Sequence, residues 1–462
     1  MPQFNFRILL FTVFCCFFCS GITVRDRVLI NSLHQVERTA LVKPTGKQLF
    51  EGAMHGLFAV LRPLGDDYSK YVPFSEQKRY TDELDNRLDG IGILFQYNPV
   101  SQSVEITYPY FGSPAWHAGI RAGDRIVAVD GHETDKMPFE RIPQLIKGPP
   151  DTEVVLTVLH RNVAAPVDIP IKRAPLQRSS VEGFALDDDG NRIFSLPTES
   201  ELAYLRITSF TELTTREVAD GLHHILDDKM KGLILDLRGN PGGYITSCVL
   251  VADFFVSPND EYDLVVSTRF RDGVIKERFG ASPETLFDGP MVVLIDDDTA
   301  SAAEILSACL QDYRRATIVG TRSFGKGTVQ KIFDLPINSG KFQLTEVSYW
   351  RPSGRNIQRT KDAEDSDEWG VRPDPDGLVP ISDEQQFAQD AIRDRRSHIV
   401  ASEVEKILTD FLKKLPEEID RLCSEKKTEE NEKPEPFQLQ GTPPYYDPQL
   451  EKAIEILKGK IQ

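Results

Sequence analysis

The chain has 462 residues, and that length predicts two or three domains, because a single hydrophobic core rarely grows past about 300 residues. Hydrophobic residues make up 40% of the chain and charged residues 27%, which is typical of a soluble globular protein with a sizeable core. Its 54 basic and 71 acidic side chains give a formal net charge of −17. This acidic balance argues against nucleic acid and anionic lipid as non-specific partners.

The N-terminal segment has the pattern of an export signal. Arg7 precedes an apolar run from Ile8 to Phe18, and small residues follow it up to Gly21. This pattern favours a cleaved signal peptide over residues 1–24 and an exported protein, periplasmic or otherwise extracytoplasmic. Two alternatives stay open: an uncleaved anchor that associates the protein with a membrane, and a buried helix.

Cysteine and histidine usage predicts no metal centre. Three of the six cysteines lie in the export segment, which leaves Cys248, Cys309 and Cys423 without the paired short spacing of a disulfide framework or a zinc site. Cys248 and Cys309 lie in apolar helical patterns, so we expect buried free thiols. No motif implies a metal or an organic cofactor, and the pair His223–His224 fits an amphipathic helix surface.

Residues 25–87 are predicted to form a helical N-terminal region. Apolar residues recur with a helical period between Val28 and Leu61, and Pro44 and Pro63 interrupt the pattern.

Short β-strand patterns replace the helical period over residues 88–173. The predicted strands are Gly90–Phe95, Ser103–Tyr108, Glu153–Arg161 and Val167–Arg173, and Ser113–Gly131 is predicted as a short helix, a glycine turn and a strand.

The stretch SPAWHAGIRAGDRIVAVDG, from Ser113 to Gly131, resembles part of a PDZ domain. The resemblance implies that a loop of Ile91, Gly92 and Ile93 offers backbone N–H groups to the terminal carboxylate of a peptide, which adds a strand to the sheet edge. The alternative is a β domain that only packs against its neighbour.

Strands and helices alternate over residues 174–380, which predicts an α/β core with an at least partly parallel sheet. Apolar strands are predicted at LAYLRI, LILDL and Met291–Ile295, and helices at Glu217–Leu226 and Thr246–Phe255. Residues 381–462 are predicted to be a helical C-terminal extension that contains a disordered stretch, 424–438, and ends in a helix over Pro443–Ile461.

Ser301 lies where the strand Met291–Ile295 gives way to a helix predicted over Ala300–Leu310. Unpaired N–H groups at the start of a helix can stabilise an oxyanion, which suits a nucleophilic serine. The simpler interpretation is a helix cap, since Ser301 and Glu304 also fit the capping-box pattern.

Lys326 lies between two glycines at the start of a β pattern, Ser323–Leu335. In a strand, residues 326, 328 and 330 share one face, so Gln330 could orient the Lys326 amine. A general base must be a neutral amine, and burial lowers the pKa of a lysine toward that state. The ordinary alternative is a surface lysine at a turn.

The spacing of Ser301, Lys326 and Gln330, within TASAAEI and FGKGTVQ, resembles the C-terminal processing peptidases, also called tail-specific proteases. Further segments are similar to the same family in the same order, across about residues 45–375: LRPLGDDYSKYVP, GLILDLRGNPGG, LQDYRRATIVG and LTEVSYWRPSGRNIQ. The resemblance implies a serine endopeptidase with a crotonase-like α/β core and an inserted PDZ domain. Its substrates would be polypeptides with exposed C-terminal tails.

The family resemblance also implies roles for individual residues. Ser301 would attack the scissile carbonyl, Lys326 would accept its proton, and Gln330 would hold Lys326. Either Gly242 or Gly243 would give the second oxyanion donor. Arg173 lies where some family members sense peptide occupancy, although it could equally be a solvated strand end. Asp312, at a recurrent family position, is expected to be structural.

Two other functions stay open from the sequence. A peptide-binding scaffold without turnover would keep the fold but would be free to lose the catalytic residues. A Ser-His-Asp hydrolase is disfavoured because no G-x-S-x-G motif occurs and no histidine lies between residues 225 and 397. Two departures from the family, Arg62–Gly65 and the long C-terminal extension, leave assembly open, including a homodimer or an adaptor protein as partner.

Overall fold

The computed structural model describes residues 23–98, 103–161, 163–426 and 437–461. Almost all of the predicted export segment therefore lies outside the described residues, as do residues 427–436 of the predicted disordered stretch; residues 424–426 are helical. Within the described ranges, no helix is both long and apolar enough to cross a membrane. The chain divides into two compact units, one of residues 23–77 with 330–345, the other of residues 78–329 with 346–461.

The elements have the following bounds. The helices are α1 (Val24–Thr39), α2 (Gly46–Ala59), α3 (Gln77–Leu84), α4 (Pro114–His117), α5 (Ile142–Ile146), α6 (Thr214–Asp227), α7 (Ile245–Ala252), α8 (Ala302–Asp312), α9 (Asp383–His398), α10 (Ala401–Lys426) and α11 (Pro448–Ile461). The strands are β1 (Lys70–Val72), β2 (Arg87–Gly90), β3 (Ile93–Asn98), β4 (Ser103–Pro109), β5 (Arg125–Val129), β6 (His132–Glu133), β7 (Glu153–Leu159), β8 (Val167–Lys172), β9 (Ala174–Gln177), β10 (Val181–Glu182), β11 (Ala185–Leu186), β12 (Arg192–Ile193), β13 (Leu202–Ile207), β14 (Gly232–Asp236), β15 (Leu264–Arg269), β16 (Ile275–Gly280), β17 (Met291–Ile295), β18 (Thr317–Gly320), β19 (Thr328–Asp334) and β20 (Lys341–Trp350).

The first unit contains the helices that the N-terminal periodicity predicts. A capping box at Thr23 begins α1 and another at Thr45 begins α2, because each threonine hydroxyl accepts a backbone N–H of the first turn. Pro44 lies in the break between the two helices, as expected. In the same unit β1 pairs antiparallel with the first residues of β20, and Phe58 packs against Phe342 with ring centroids 5.6 Å apart.

The mainly β part of the second unit forms one sheet in the order β3-β4-β5-β7-β8. Its core contains alternate residues of the strands, such as Val154, Leu156 and Val158 of β7, because successive side chains of a strand point to opposite faces. The prediction of one strand over Gly90–Phe95 is wrong: the chain turns at Gly92, which has a φ of +78° and separates β2 from β3. β3 lies at the edge of the sheet, whereas β2 pairs with β9.

The α/β core of the second unit is built on the sheet β10-β13-β14-β17-β18. Strands β13, β14, β17 and β18 are parallel, which confirms the expected partly parallel sheet. Helices α6, α7 and α8 cover one face of this sheet, and α11 covers the other. Parallel strands are buried on both faces, which explains their continuous apolar sequences.

The last helix, α11, is a layer of the α/β core. Leu450 and Leu457 of α11 are fully buried against Ile234 and Leu294 of the central strands. The sequence predicts residues 381–462 as a C-terminal extension, whereas α11 packs directly on the central sheet. The physical reason is that a parallel sheet needs helices on both faces, and the helices encoded between β13 and β18 cover only one.

Candidate active site

Ser301 occupies a strained corner between β17 and α8. Its backbone has a φ of +57° and a ψ of −118°, a conformation that costs a side-chain-bearing residue about 1–3 kcal/mol. The loop before α7 closes on it from the opposite side: a Cβ built on Gly242 would lie 2.7 Å from Ser301 Cβ. The approach therefore requires glycine at position 242.

The carboxylate of Glu304 joins the serine segment to the lysine segment. Its Oε2 accepts the backbone N–H groups of Ser301, at 2.9 Å, and of Lys326, at 2.8 Å. Its Oε1 accepts the hydroxyl of Ser323, at 2.6 Å, and the N–H of Gly325, at 2.7 Å. The sequence predicted Glu304 only as a partner in a helix cap, because nothing in a local pattern indicates the contacts with residues 323–326.

Glu304 is completely buried, and all four of its partners are uncharged groups. Burial raises the pKa of the Glu304 carboxyl, while the bond from Ser323 and those from the three backbone N–H groups oppose that rise. A carboxylate accepts all four of these bonds only when it is ionised, since a protonated carboxyl carries a donor of its own.

Lys326 lies two residues before β19, which begins at Thr328. The predicted strand face of residues 326, 328 and 330 therefore applies only from Thr328 onward. The flanking glycine is required here too, because a Cβ on Gly327 would lie 2.5 Å from the backbone N of Gln358. Gln358 Oε1 accepts the Gly327 N–H at 3.0 Å and fixes the peptide that follows Lys326.

Gln330 belongs to the first unit, where it is part of a polar chain. Its Nε2 donates to Thr345 Oγ1 at 3.2 Å, and Thr345 Oγ1 donates to Asp66 at 2.9 Å. Burial raises the pKa of Asp66, but hydrogen bonds from Ser69, Thr345 and two backbone N–H groups lower the pKa below its ordinary value overall. The orientation of Lys326 by Gln330 stays a prediction.

The glycine loop after β14 is held by Asn240, a fully buried residue that the sequence analysis did not single out. Asn240 Oδ1 accepts the Gly242 N–H at 2.8 Å, and the Asn240 carbonyl accepts the Ala300 N–H at 2.9 Å. The Gly242 carbonyl and the Tyr244 N–H both bond to Phe210. These two bonds make Gly243 the partner of Phe210 in an isolated parallel bridge.

A buried ion cluster lies beside this loop. Arg238 donates to Asp236 through Nε and Nη2 and makes a bidentate pair with Asp447, at 2.9 and 2.8 Å. Tyr204 donates to Asp236 at 2.7 Å, and Arg393 Nη1 lies 3.8 Å from it. Burial raises the pKa of Asp236, but Arg238 and Arg393 lower it well below the ordinary value overall.

The loop of Ile91, Gly92 and Ile93 lies at the start of the edge strand β3. The Gly92 carbonyl accepts the Ser113 hydroxyl at 3.0 Å and the Tyr110 N–H at 3.0 Å, which fixes the turn. A cavity of about 1350 Å³ lies between this domain and the α/β core, and its lining includes Ser113 and Pro241. Pro241 directly precedes the Gly242–Gly243 pair.

Arg173 is buried, so its interpretation as a solvated strand end is wrong. Its guanidinium donates to the carbonyls of Leu145 and Ile146, at 2.8 Å each, and closes the C-terminal turn of α5. Its sensing role stays a prediction. Asp312 makes a bidentate pair with Arg351, at 2.9 and 2.6 Å, which fits the expected structural role.

The remaining sequence candidates lie where the patterns predict. Cys248 and Cys309 are buried free thiols, and burial raises the pKa of each, so neither is a reactive nucleophile. His223 and His224 are exposed on α6.

Two protein families and several proteins of known type are similar to this chain. Residues 201–375 match Peptidase family S41, and residues 105–159 match the PDZ domain. A carboxy-terminal-processing protease of Bartonella bacilliformis is 34% identical over 342 residues, which are 73% of this chain and 73% of that protein. A carboxyl-terminal-processing protease of Synechocystis is 35% identical over 59% of this chain and 60% of its own length. The carboxy-terminal processing protease CtpA of Bacillus subtilis is 31% identical over 65% and 60%.

Fold, sequence and similarity together define a serine peptidase, a hydrolase of peptide bonds, with a PDZ domain and a mixed α/β core. The chain belongs to the carboxy-terminal processing proteases of peptidase family S41.

Proposed function

We propose that this protein is an endopeptidase with a Ser301/Lys326 dyad that cleaves exported polypeptides whose C-terminal tails bind its PDZ domain. The observation that carries the proposal is the Glu304 carboxylate, which holds the N–H groups of Ser301 and Lys326 on one oxygen atom. Two segments 25 residues apart are thereby fixed to a single buried group. That is the preorganisation that a nucleophile and its base require.

In this mechanism Ser301 Oγ attacks the scissile carbonyl carbon while the neutral Lys326 amine takes the hydroxyl proton. The tetrahedral intermediate collapses, the C–N bond breaks, and Lys326 returns the proton to the leaving amine. Water then hydrolyses the acyl-enzyme with Lys326 as the base again, which restores both residues. Gln330 would keep the Lys326 amine oriented for each proton transfer.

Two backbone N–H groups would bind the oxyanion. The first is that of Ala302, since the Ser301 N–H is already donated to Glu304. The second is that of Gly243, because the Gly242 N–H is donated to Asn240. The sequence leaves open whether Gly242 or Gly243 is the second donor. We infer Gly243, because the N–H group of Gly242 already has a partner.

The PDZ domain would select the substrate through its edge strand. A peptide that pairs with β3 would place its terminal carboxylate at Ile91, Gly92 and Ile93, and the cavity that reaches Pro241 would lead toward Ser301. We infer a crotonase-like core with the PDZ domain inserted ahead of it, and an exported, periplasmic or other extracytoplasmic location. Membrane association through the N-terminus, a homodimer and an adaptor protein stay predictions.

The test is cleavage of a loosely folded reporter with an apolar C-terminal tail. Ser301→Ala and Lys326→Ala should each lower kcat by at least about 10³-fold and keep the wild-type far-UV spectrum and Tm. Lys331→Ala, which removes an exposed lysine nearby, is the matched control and should cut at the wild-type rate. A reporter whose tail carboxylate is amidated should be cut more slowly.

Strong cleavage by either folded dyad variant would overturn the mechanism. Equal cleavage of the free and amidated tails would overturn carboxylate recognition alone. An inert wild type would favour the peptide-binding scaffold, and tail-peptide binding would then be measured directly.

A further inference from the structure

Tyr349, in β20, contacts the same two segments as Glu304. Glu304 binds their N–H groups, whereas Tyr349 contacts their carbonyl oxygens. Its hydroxyl contacts the carbonyl oxygen of Ser301, at 3.1 Å, and also that of Lys326. The ring is buried in the main core of the α/β domain, with 1% of its surface exposed. A buried tyrosine hydroxyl normally finds one hydrogen-bond partner, whereas the Tyr349 hydroxyl lies between the Ser301 and Lys326 segments.

The backbone of Tyr349 is fixed independently of its side chain. Its N–H donates to the Gly327 carbonyl at 3.0 Å, and its own carbonyl accepts from Asn356 Nδ2 at 2.7 Å. The strand also pairs with β15, where Thr268 lies opposite Tyr349. The hydroxyl therefore extends from a rigid position, and its place relative to Ser301 and Lys326 is set by the sheet.

We propose that Tyr349 is a positioning residue of the Ser301/Lys326 dyad. Glu304 accepts the N–H groups of the two residues, and the Tyr349 hydroxyl shares its one proton between their carbonyl oxygens, so each residue is held at both its N–H and its carbonyl group. The inference rests on the proposed dyad and adds a residue that lies in the family-like segment LTEVSYWRPSGRNIQ but outside the dyad motifs TASAAEI and FGKGTVQ. A positioning role predicts that the effect of Tyr349 comes through the separation of Ser301 Oγ and Lys326 Nζ.

This role has a kinetic signature. A displacement of about 1 Å between reacting groups can cost about 10²-fold in rate, while substrate binding, which uses other surfaces, is unaffected. Tyr349→Phe keeps the ring in the core and removes only the hydroxyl. We expect kcat to fall about ten- to hundredfold with KM within twofold of wild type.

The matched control is Tyr313→Phe. Tyr313 packs against the same core and donates its hydroxyl to a backbone carbonyl, that of Leu264, at 3.2 Å, rather than to the Ser301 or Lys326 carbonyl. Its kcat and KM should both stay within twofold of wild type. The two variants should have similar Tm values, because each loses one hydroxyl proton, which Tyr349 shares between two carbonyl oxygens and Tyr313 donates to one.

The outcomes separate this inference from the proposed function. If Ser301→Ala still cleaves, the dyad is wrong and Tyr349 has nothing to position. If Ser301→Ala and Lys326→Ala are inert but Tyr349→Phe keeps the wild-type kcat, only the positioning role is overturned. A rise in KM at constant kcat, an equal kcat loss in Tyr313→Phe, or loss of folded Tyr349→Phe would also overturn it, since each assigns the hydroxyl to binding or to stability.

Discussion

Two buried carboxylates near the carboxyl ends of the central strands are held in opposite ways. Asp236, at the end of β14, is surrounded by the charged side chains of Arg238 and Arg393. Glu304, in the first turn of the helix that follows β17, accepts four hydrogen bonds from a hydroxyl and three backbone N–H groups. Both side chains are completely buried.

The difference appears in the direction of their pKa shifts. The pKa of Asp236 lies below its ordinary value, so its ionisation adds stability above the pKa of the unfolded chain and loses it as the pH falls. The pKa of Glu304 lies above its ordinary value, so its contribution is greatest at low pH and decreases as the pH rises through the folded-state pKa. The comparison indicates that ionised Asp236 stabilises the fold, whereas ionised Glu304 costs stability while it joins the segments of Ser301 and Lys326.

The largest effect is expected for Asp236→Asn. The substitution leaves Arg238 and Arg393 buried with one carboxylate fewer, and breaking a buried ion pair on one side costs about 3–5 kcal/mol of unfolding free energy. Urea unfolding would measure it. Glu199→Gln, which breaks a partly exposed pair with Lys458 at 2.7 Å, should cost less than about 1 kcal/mol.

A loss below about 1 kcal/mol in Asp236→Asn would contradict the assignment of the cluster to stability. The double variant with Asp447→Asn sharpens the test. The two losses should not add, because Asp236 and Asp447 share the guanidinium of Arg238.

Acid should weaken the fold through another charge-paired carboxylate, Glu182. Burial raises its pKa, but Arg206, whose Nη1 lies 2.9 Å away, and His398 lower it, and the pKa reaches about 2. Relative to an ordinary value of 4.5, this contributes about 3 kcal/mol above pH 4.5, which is lost as the pH falls through 2. The measurement is the difference in unfolding free energy between wild type and Glu182→Gln from pH 7 to pH 2.

That difference should be constant above about pH 5 and shrink below pH 4.5. A difference that is the same at pH 7 and pH 2.5 would show that Glu182 titrates normally and that its ion pair adds nothing.

The sequence predicts the residues that lie in local motifs better than the buried contacts between distant segments. Ser301 and Lys326 stand out because an apolar strand, a helix start and flanking glycines are local patterns, and family motifs add Gln330 and the glycine loop. Glu304, Asn240 and Tyr349 were not assigned to the site, because their partners lie in segments that only the folded sheet brings together.

The same limit explains the C-terminal helices. The period of α11 predicts a helix over Pro443–Ile461, and the structure places α11 at Pro448–Ile461. Its place under the central sheet depends on which face the other helices leave open, and on the pairing of Asp447 with Arg238, 209 residues earlier in the chain. No local pattern contains that information.

The smallest effect on stability is expected for Glu304→Gln, the neutral substitution that corresponds to Asp236→Asn. The amide removes a charge whose burial is unfavourable but keeps one oxygen atom, so the unfolding free energy should stay within about 1 kcal/mol of wild type. That oxygen can still accept the N–H groups of Ser301 and Lys326 when the amide nitrogen faces Ser323, but the Gly325 N–H then loses its acceptor, which offsets part of the gain from removing the buried charge. We therefore expect kcat to fall by about tenfold or less.

Glu304→Ala removes all four acceptor contacts and should lower kcat by about a hundredfold, since neither catalytic segment is then held. Reporter cleavage and urea unfolding of both variants give the two readouts. Equal kcat values for Glu304→Gln and Glu304→Ala would mean that the charge matters and the shared oxygen does not. A loss of 3 kcal/mol or more in Glu304→Gln would place Glu304 in the same class as Asp236, because a carboxylate that serves only to fix geometry tolerates its neutral isostere.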